Sequence, residues 1–206
     1  MLSLGTVFLL FFITLGPLKL LGPFAQQTRT LDEATLRGLA VRVFILALLA
    51  VLIGGTLGTV LLEKWRISIE ALVIATGIIF FLVALDLVMA PYRPPPAEPE
   101  PLPAKPIKAA LRLTFPLAVT PYGIAAVIAV LVGMNGELHA PAVYAMLVGV
   151  MLLNLLAMLY IRQIMVGPVL LILQILGAVL GVLQVALAVQ IMIRALRDLH
   201  VLPELS

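Results

Sequence analysis

The chain has 206 residues, of which 63% are apolar and 11% are charged, with a formal net charge of +3. Soluble domains are about 45–50% apolar and about 25% charged, so this composition excludes a water-soluble globule, a disordered chain and a secreted disulfide scaffold. A bilayer-spanning helix takes roughly 20 apolar residues, so the supply of about 130 is enough for about six spans. The sequence therefore predicts an all-α, polytopic membrane protein.

Long apolar segments follow one another along the chain, and their lack of strict alternation favours helices over barrel strands. The predicted spans are 3–28, 39–62, 68–90, 107–134, 141–161 and 167–195. No Lys or Arg precedes Lys19 and the first segment has no clear cleavage site, so we interpret it as a retained span rather than a signal peptide.

Small residues four apart occur in the second and sixth spans, as the pairs Gly54 with Gly58 and Gly177 with Gly181. This spacing lets helix backbones approach closely in lipid, where packing drives association. The pairs therefore predict helix packing. The alternative is that they occur by chance, since glycine is frequent in these spans.

A proline-rich stretch, residues 91–106, lies between the third and fourth spans and holds eight of the 15 prolines. Such a stretch is extended and stays outside the membrane. It separates a first repeat, 1–90, from a second repeat with a short tail, 107–206. Because each half has an odd number of spans, related halves must lie inverted in the membrane. We interpret the linker as a cytoplasmic connector, with a docking site for an aromatic-lined partner domain as the alternative.

The distribution of Lys and Arg predicts which side of the membrane each loop faces, because cytoplasmic loops carry an excess of both. The first, third and fifth loops with their flanks hold Arg29, Arg37, Arg42, Arg93, Lys105, Lys108, Arg112 and Arg162. The second loop and the C-terminal tail hold Lys64, Arg66, Arg194 and Arg197. The excess favours cytoplasmic odd loops and extracytoplasmic termini.

Proline interrupts the first span of each half. Pro17 and Pro23 lie in the first span of the chain, and Pro116 and Pro121 lie in the fourth. A proline lacks an N–H and blocks the carbonyl four residues back, and a neighbouring glycine eases the departure from helical geometry. Interrupted helices at corresponding places in two halves point to a transporter's binding site. Ordinary proline kinks that serve packing are the alternative.

We predict that the two breaks meet near the midplane and hold a substrate through backbone groups, since half-helix N-termini suit a carboxylate. The predicted substrate-binding residues are Gly16, Pro17, Lys19, Pro116, Thr120, Pro121, Tyr122 and Gly123. Lys19 and Tyr122 are the side chains expected to contact the substrate. For Lys19 a second interpretation stays open, in which it snorkels to the cytoplasmic interface.

Two further polar residues inside the spans are candidates for ion coupling or for a counter-charge. Asp86 lies one turn before the linker, so a solvated carboxylate at the interface is the alternative to a proton or ion site. Asn154 is neutral, and an interhelical hydrogen bond is the alternative there.

The sequence offers almost no support for an enzyme, a metal site or a cofactor. There is no Cys, and His139 and His200 lie in a loop and the tail, so no metal cluster can be drawn. Nucleophile-elbow, zinc-protease and phosphate-loop motifs are missing, and no basic patch with interleaved aromatics supports nucleic-acid binding. The expected partners are the lipid bilayer and a small-molecule substrate, with a homo-oligomer left open.

Several stretches resemble elements of the MarC family of bacterial and archaeal integral membrane proteins. Residues 16–18 are similar to its first-helix Pro-Leu-Ala-Asn-Pro element, and 67–69 with 75–79 to its third-span Ile-Ser-Ile and Gly-Gly-Leu-Ile pattern. Residues 116–125 are similar to its fourth-helix Pro-Leu-Ala-Met-Pro element in a shorter form, and 176–177 match less distinctively.

The resemblance covers essentially the whole chain and implies six spans in the plasma (inner) membrane and kinship with LysE-type amino-acid exporters. It also implies transport of small neutral amino acids such as glycine and alanine. Gly16 stands where the family has Asn, and Ile13 where it has an earlier proline. The functional hypothesis is a secondary transporter or exporter of small solutes. The alternative is a non-transporting scaffold or stress-related subunit that acts through the proline-rich linker.

Overall fold

A computed structural model describes residues 4–89, 101–133, 140–166 and 168–201. It is 86% helix and has no strand within those ranges, which confirms the all-α prediction. The helices are α1 (Leu4–Leu15), α2 (Leu18–Thr28), α3 (Glu33–Lys64), α4 (Ile69–Met89), α5 (Pro106–Leu113), α6 (Pro121–Gly133), α7 (Ala140–Leu159), α8 (Ile161–Ile164) and α9 (Pro168–Asp198). Most of the proline-rich linker lies outside the described residues.

The predicted spans correspond to these helices, and the largest difference lies at the start of α3. The apolar pattern predicts a start at residue 39, whereas α3 begins at Glu33. The reason is a helix cap: the Asp32 carboxylate accepts a hydrogen bond from the Thr35 backbone N–H at 3.1 Å. Hydrogen bonds from the Thr35 side chain and backbone lower the pKa of Asp32, so the charged cap is present at neutral pH.

Fewer helices are long and apolar enough to cross a bilayer than the six spans predicted from composition. Three pass this test within the described residues, namely Glu33–Lys64, Pro141–Leu159 and Ile175–Asp198. The bent pair Pro106–Ala118 and Pro121–Val132, with 63° between its parts, is a fourth candidate. The structure therefore supports a multi-pass helical membrane protein with three to four candidate spans.

Many large apolar side chains lie exposed on the outer surface of the helices, which suits a lipid environment. On α3, residues four apart form a continuous stripe, and Ile45, Leu49, Ile53 and Leu57 are each about half exposed. Such an extended apolar face would be a liability in water. It assigns this side of α3 to contact with lipid.

α3 lies at the centre of the packing, with α5, α6 and α7 against it. A Cβ built on Gly54 would lie 3.2 Å from the Ile124 side chain, and one on Gly58 would lie 2.1 Å from Ile128. These two contacts, four residues apart on each helix, show that α3 and α6 run in the same direction at close approach.

The sixth span differs from the packing prediction made for its glycines. A Cβ on Gly177 would meet nothing within 4 Å, so the close approach predicted there is not found among the described residues. The physical reason is that this part of α9 faces outward, with Leu176 and Val179 half exposed. Gly181, one turn later, is buried. The close contact of α9 with α4 lies further along the chain, where a Cβ on Gly77 would be 2.6 Å from Met192.

Candidate functional site

The first helix is broken at Gly16 and Pro17, between α1 and α2. Pro17 begins the second part, because its carbonyl accepts the backbone N–H groups of Leu20 and Leu21 at 2.9 and 3.0 Å. A Cβ on Gly16 would lie 1.9 Å from the Phe12 carbonyl oxygen, so only glycine fits. Pro23 lies inside α2 and does not end it, which corrects the prediction that both prolines interrupt the span.

The break frees carbonyl groups at the end of α1, and side chains of α2 and α7 donate hydrogen bonds to them. The Thr14 carbonyl accepts a hydrogen bond from Lys19 Nζ. The Leu15 carbonyl accepts one from Asn154 Nδ2 on α7 at 2.6 Å. The interhelical bond considered for Asn154 is thus present, and its partner is a backbone group of the first break.

The second break is a wide turn between α5 and α6. Phe115 and Val119 have extended backbone conformations within it. Two hydrogen bonds close the turn locally: Val119 N–H donates to the Thr114 carbonyl at 2.8 Å, and the Thr114 hydroxyl donates to the Ala110 carbonyl at 2.8 Å. Thr120 caps α6, since its hydroxyl oxygen accepts the Gly123 N–H at 3.2 Å.

The two breaks meet through Lys19. Its Nζ donates to the Thr120 hydroxyl oxygen at 3.2 Å and lies 5.2 Å from the centre of the Tyr122 ring. The Thr120 hydroxyl in turn lies 3.4 Å from the Thr14 carbonyl oxygen, to which it donates. We define the break junction as the residues that meet here: Thr14, Leu15, Lys19, Thr120, Tyr122, Gly123 and Asn154. Lys19 therefore points toward the second break, and its contact with a substrate stays a prediction.

The helices bring backbone ends of opposite polarity to the break junction. α1 ends there with a partial negative charge, while α2 and α6 begin there with partial positive charges. The Lys19 ammonium sits at the negative end, where a cation is stabilised. Its bonds to a carbonyl and a hydroxyl, together with the Tyr122 ring, offset the cost of holding a charge away from water.

Apolar groups enclose the break junction. The Phe80 ring of α4 stacks on Tyr122 with 5.5 Å between ring centres, and Ile13 packs against the same pair. A Cβ on Gly123 would lie 2.4 Å from Leu15 Cδ2, so the start of α6 and the end of α1 approach as closely as glycine allows. The polar groups are therefore held in a tight, largely apolar setting.

The structure brings most of the predicted binding residues together. Lys19, Thr120, Tyr122 and Gly123 belong to the break junction; Gly16, Pro17 and Pro121 shape the helix ends beside it. Pro116 lies in the exposed part of the wide turn. Asp86 lies in α4, and its side chain is outside the described part of the structure.

Sequence reasoning missed three participants: the carbonyls of Thr14 and Leu15 and the ring of Phe80. The Thr14 carbonyl is the acceptor for Lys19, and its place just before Gly16-Pro17 was a usable signal, because a break frees the carbonyls of the preceding turn. Phe80 had no such signal, since it is one of many aromatic residues in apolar spans. Within the described ranges, no group of three His, Asp or Glu residues could hold a metal ion.

Comparison with known proteins identifies the family. The model of the MarC family, described as "MarC family integral membrane protein", matches residues 1–200. Neither a curated protein nor a solved structure matches the chain. The match covers nearly the whole chain, so the chain belongs to the MarC family, and this membership points to a transporter-like role in a membrane.

Proposed function

We propose that this MarC family member is a secondary transporter of small neutral amino acids and that the break junction is its binding site. The observation that carries the proposal is the position of Lys19, whose ammonium joins the Thr14 carbonyl of one interrupted helix to the Thr120 hydroxyl of the other. Half-helices that meet in this way are typical of transporter binding sites.

The break junction has groups of both signs, as a zwitterionic substrate needs. Lys19 and the N-terminus of α6 suit a carboxylate, while the carbonyls at the end of α1 suit an ammonium group. Asn154 Oδ1 is buried and has no hydrogen-bond partner among the described residues. It is therefore a further acceptor for a substrate ammonium.

The surroundings favour a small substrate side chain. Stacked rings of Phe80 and Tyr122 close one side, and Leu15 lies against Gly123 on another. A bulky side chain would have to displace several packed groups, which costs about 1–3 kcal/mol in a well-packed interior. Glycine and alanine need the least displacement.

Lys19 takes the place of a substrate ammonium in the conformation described here, because its Nζ bonds to the Thr14 carbonyl. An arriving amino acid would displace it from that carbonyl. The released Lys19 ammonium would then pair with the substrate carboxylate. This exchange leaves no unpaired charge in the interior, and an unpaired buried charge is costly.

The proposal includes six crossings arranged as two inverted repeats. Exchanging the halves pairs α1–α2 with α5–α6, α3 with α7–α8, and α4 with α9. Under this exchange the packing of α1 on α7 corresponds to that of α5 on α3, and the packing of α2 on α7 to that of α6 on α3; all four are present. Lys19 and Tyr122 become equivalent too, since each is the second residue of its half-helix.

We place the chain in the plasma (inner) membrane with both termini extracytoplasmic. Arg162 donates to the Leu31 carbonyl, so the first and fifth loops share one face. Arg29, Arg37 and Arg42 lie in or next to the first loop. An excess of positive residues marks the cytoplasmic side.

Counterflow of labelled alanine or glycine in proteoliposomes tests the proposal. We expect uptake by the full chain under a proton or a sodium gradient, and a loss of at least about tenfold in Lys19→Met, equivalent to about 1.4 kcal/mol. Lys64→Met, at the exposed end of α3, is the control and should transport normally. If a folded wild-type sample takes up neither amino acid under either gradient, the proposal is wrong.

Two variants at Thr120 give a second test that does not depend on whether Lys19→Met folds. Thr120→Ser keeps the hydroxyl that Lys19 contacts, whereas Thr120→Val removes it. We expect transport by the first and a clear loss in the second. If transport by Lys19→Met and by Thr120→Val equals that of the wild type, the break junction is not the binding site.

A further inference from the structure

A second polar feature lies at one end of the bundle, away from the break junction. A cleft of about 330 Å³ opens between the end of α2, the start of α3 and α8. Its polar lining comes from Gln26, Thr28, Arg29 and Arg162, and its apolar lining includes Leu36 and Met165. We propose that this cleft binds a phosphate group, and that the phosphate belongs to an anionic lipid.

The charges in the cleft favour an anion. Arg29 is exposed and makes no ion pair or hydrogen bond within the described residues. Arg162 uses one N–H on the Leu31 carbonyl, which orients its guanidinium and leaves other donors of the five. Two full positive charges outweigh the partial negative charge of about one half that the end of α2 contributes.

Guanidinium groups suit phosphate because their donors are arranged in a planar fork that matches two of its oxygens. Asp32, which ends the first loop, is engaged as the cap of α3. Within the described ranges the ion pair found is Arg37 with Glu33, further along α3. In the part of the chain that the structure describes, neither arginine of the cleft is paired with a carboxylate that would compete with a bound phosphate.

The apolar half of the cleft and its position favour a lipid as the source of the phosphate. Tyr160, between α7 and α8, is 54% exposed, and Val166 beyond α8 is 67% exposed. Exposed aromatic residues at the ends of spans mark the headgroup level of a bilayer. A lipid can place its phosphate between the arginines and its glycerol backbone against the apolar lining, whereas free phosphate uses only the polar part.

Thermal unfolding of the full chain in a neutral detergent tests this site. Phosphatidylglycerol, phosphatidylcholine and inorganic phosphate are titrated separately, and the apparent dissociation constant is taken from the shift in midpoint. We expect phosphatidylglycerol to bind at least about tenfold more tightly than phosphatidylcholine. Stabilisation by inorganic phosphate at equal concentration would support the phosphate site but assign it to a soluble ligand.

Substitutions of the arginines test whether phosphatidylglycerol binds in the cleft. Arg29→Gln should weaken phosphatidylglycerol binding at least about fivefold, and Arg162→Lys, which keeps the charge but loses the fork, should weaken it less. Arg194→Gln, an exposed arginine on α9, is the matched control and should bind as the wild type. If neither anion stabilises the protein, or if Arg29→Gln and Arg194→Gln behave alike, the cleft is not the site.

Discussion

At the first break two residues, Gly16 and Pro17, separate the half-helices, whereas at the second break the turn from Thr114 to Thr120 separates them. The short break leaves two carbonyls free at the end of α1: Lys19, at the start of α2, bonds to that of Thr14, and Asn154 of α7 bonds to that of Leu15. The wide break forms local hydrogen bonds at Thr114, Val119 and Gly123, and its Thr120 hydroxyl also bonds across to Lys19 and the Thr14 carbonyl. The comparison teaches that the first break needs a donor from another span, α7, to satisfy a freed carbonyl, whereas the second break closes its own turn locally and reaches the first only through Thr120.

This difference also separates the roles of the two breaks. The first break contributes a charge and exposed carbonyls, so it can change partners when a substrate arrives. The second break contributes a capped helix start, with Thr120 fixed by the Gly123 N–H, and an aromatic wall. We therefore expect the first break to be the more sensitive to substitution of remote residues.

Gly16→Ala gives the largest expected effect, because the added Cβ would lie 1.9 Å from the Phe12 carbonyl oxygen, a backbone atom that cannot move aside. The expected loss of unfolding free energy is about 3 kcal/mol, measured from thermal unfolding in detergent. Gly22→Ala in α2, where a Cβ meets nothing within 4 Å, is the control. Equal stability of the two variants would show that the first break is not tightly closed.

Thr120→Val removes the hydroxyl that joins the two breaks and should cost about 2 kcal/mol, because the Lys19 ammonium and the Gly123 N–H lose an acceptor. Thr120→Ser should restore most of that stability. The comparison uses unfolding midpoints of both variants in the same detergent. A Val variant as stable as the Ser variant would contradict the bond between the breaks.

Asn154→Leu should cost about 1–2 kcal/mol, since it leaves the buried Leu15 carbonyl without its donor. Removal of Asn154 Oδ1, which has no partner in the described structure, offsets part of the loss. Thr56→Val on the lipid-facing side of α3 is the control, because its hydroxyl bonds only to carbonyls of its own helix. If Thr56→Val loses more unfolding free energy than Asn154→Leu, the bond from Asn154 to the first break contributes no more to stability than a bond within one helix.

Thr114→Val gives the smallest expected effect, about 0.5 kcal/mol, although this residue is buried. Its hydroxyl bonds to the Ala110 carbonyl one turn back, so removing the hydroxyl affects only this turn of the helix. The unfolding free energies of this variant and of Asn154→Leu, measured by denaturation in the same detergent, compare the two breaks directly. A loss that matches or exceeds that of Asn154→Leu would overturn the idea that the second break is the more self-sufficient.

Prediction from sequence succeeded where the responsible chemistry is local. Pro17 and Pro121 lie where the half-helices begin, because a proline ends the hydrogen-bond ladder at its own position. Pro23 did not break α2, since a single proline can be accommodated inside a helix. Glycine spacing does not say which side of a helix faces lipid: a Cβ on Gly177 would meet nothing within 4 Å among the described residues, whereas Gly181 is buried.

By itself the amino-acid sequence determined the membrane setting, the helical class and the positions of the two breaks, since these follow from apolar content and from backbone chemistry within a few residues. Only the tertiary structure decided that Lys19 reaches Thr120, 101 residues away, and that Asn154 reaches the Leu15 carbonyl, 139 residues away. Such contacts depend on how whole helices pack. In lipid that packing rests on shape and on satisfying freed backbone groups, which no local pattern specifies.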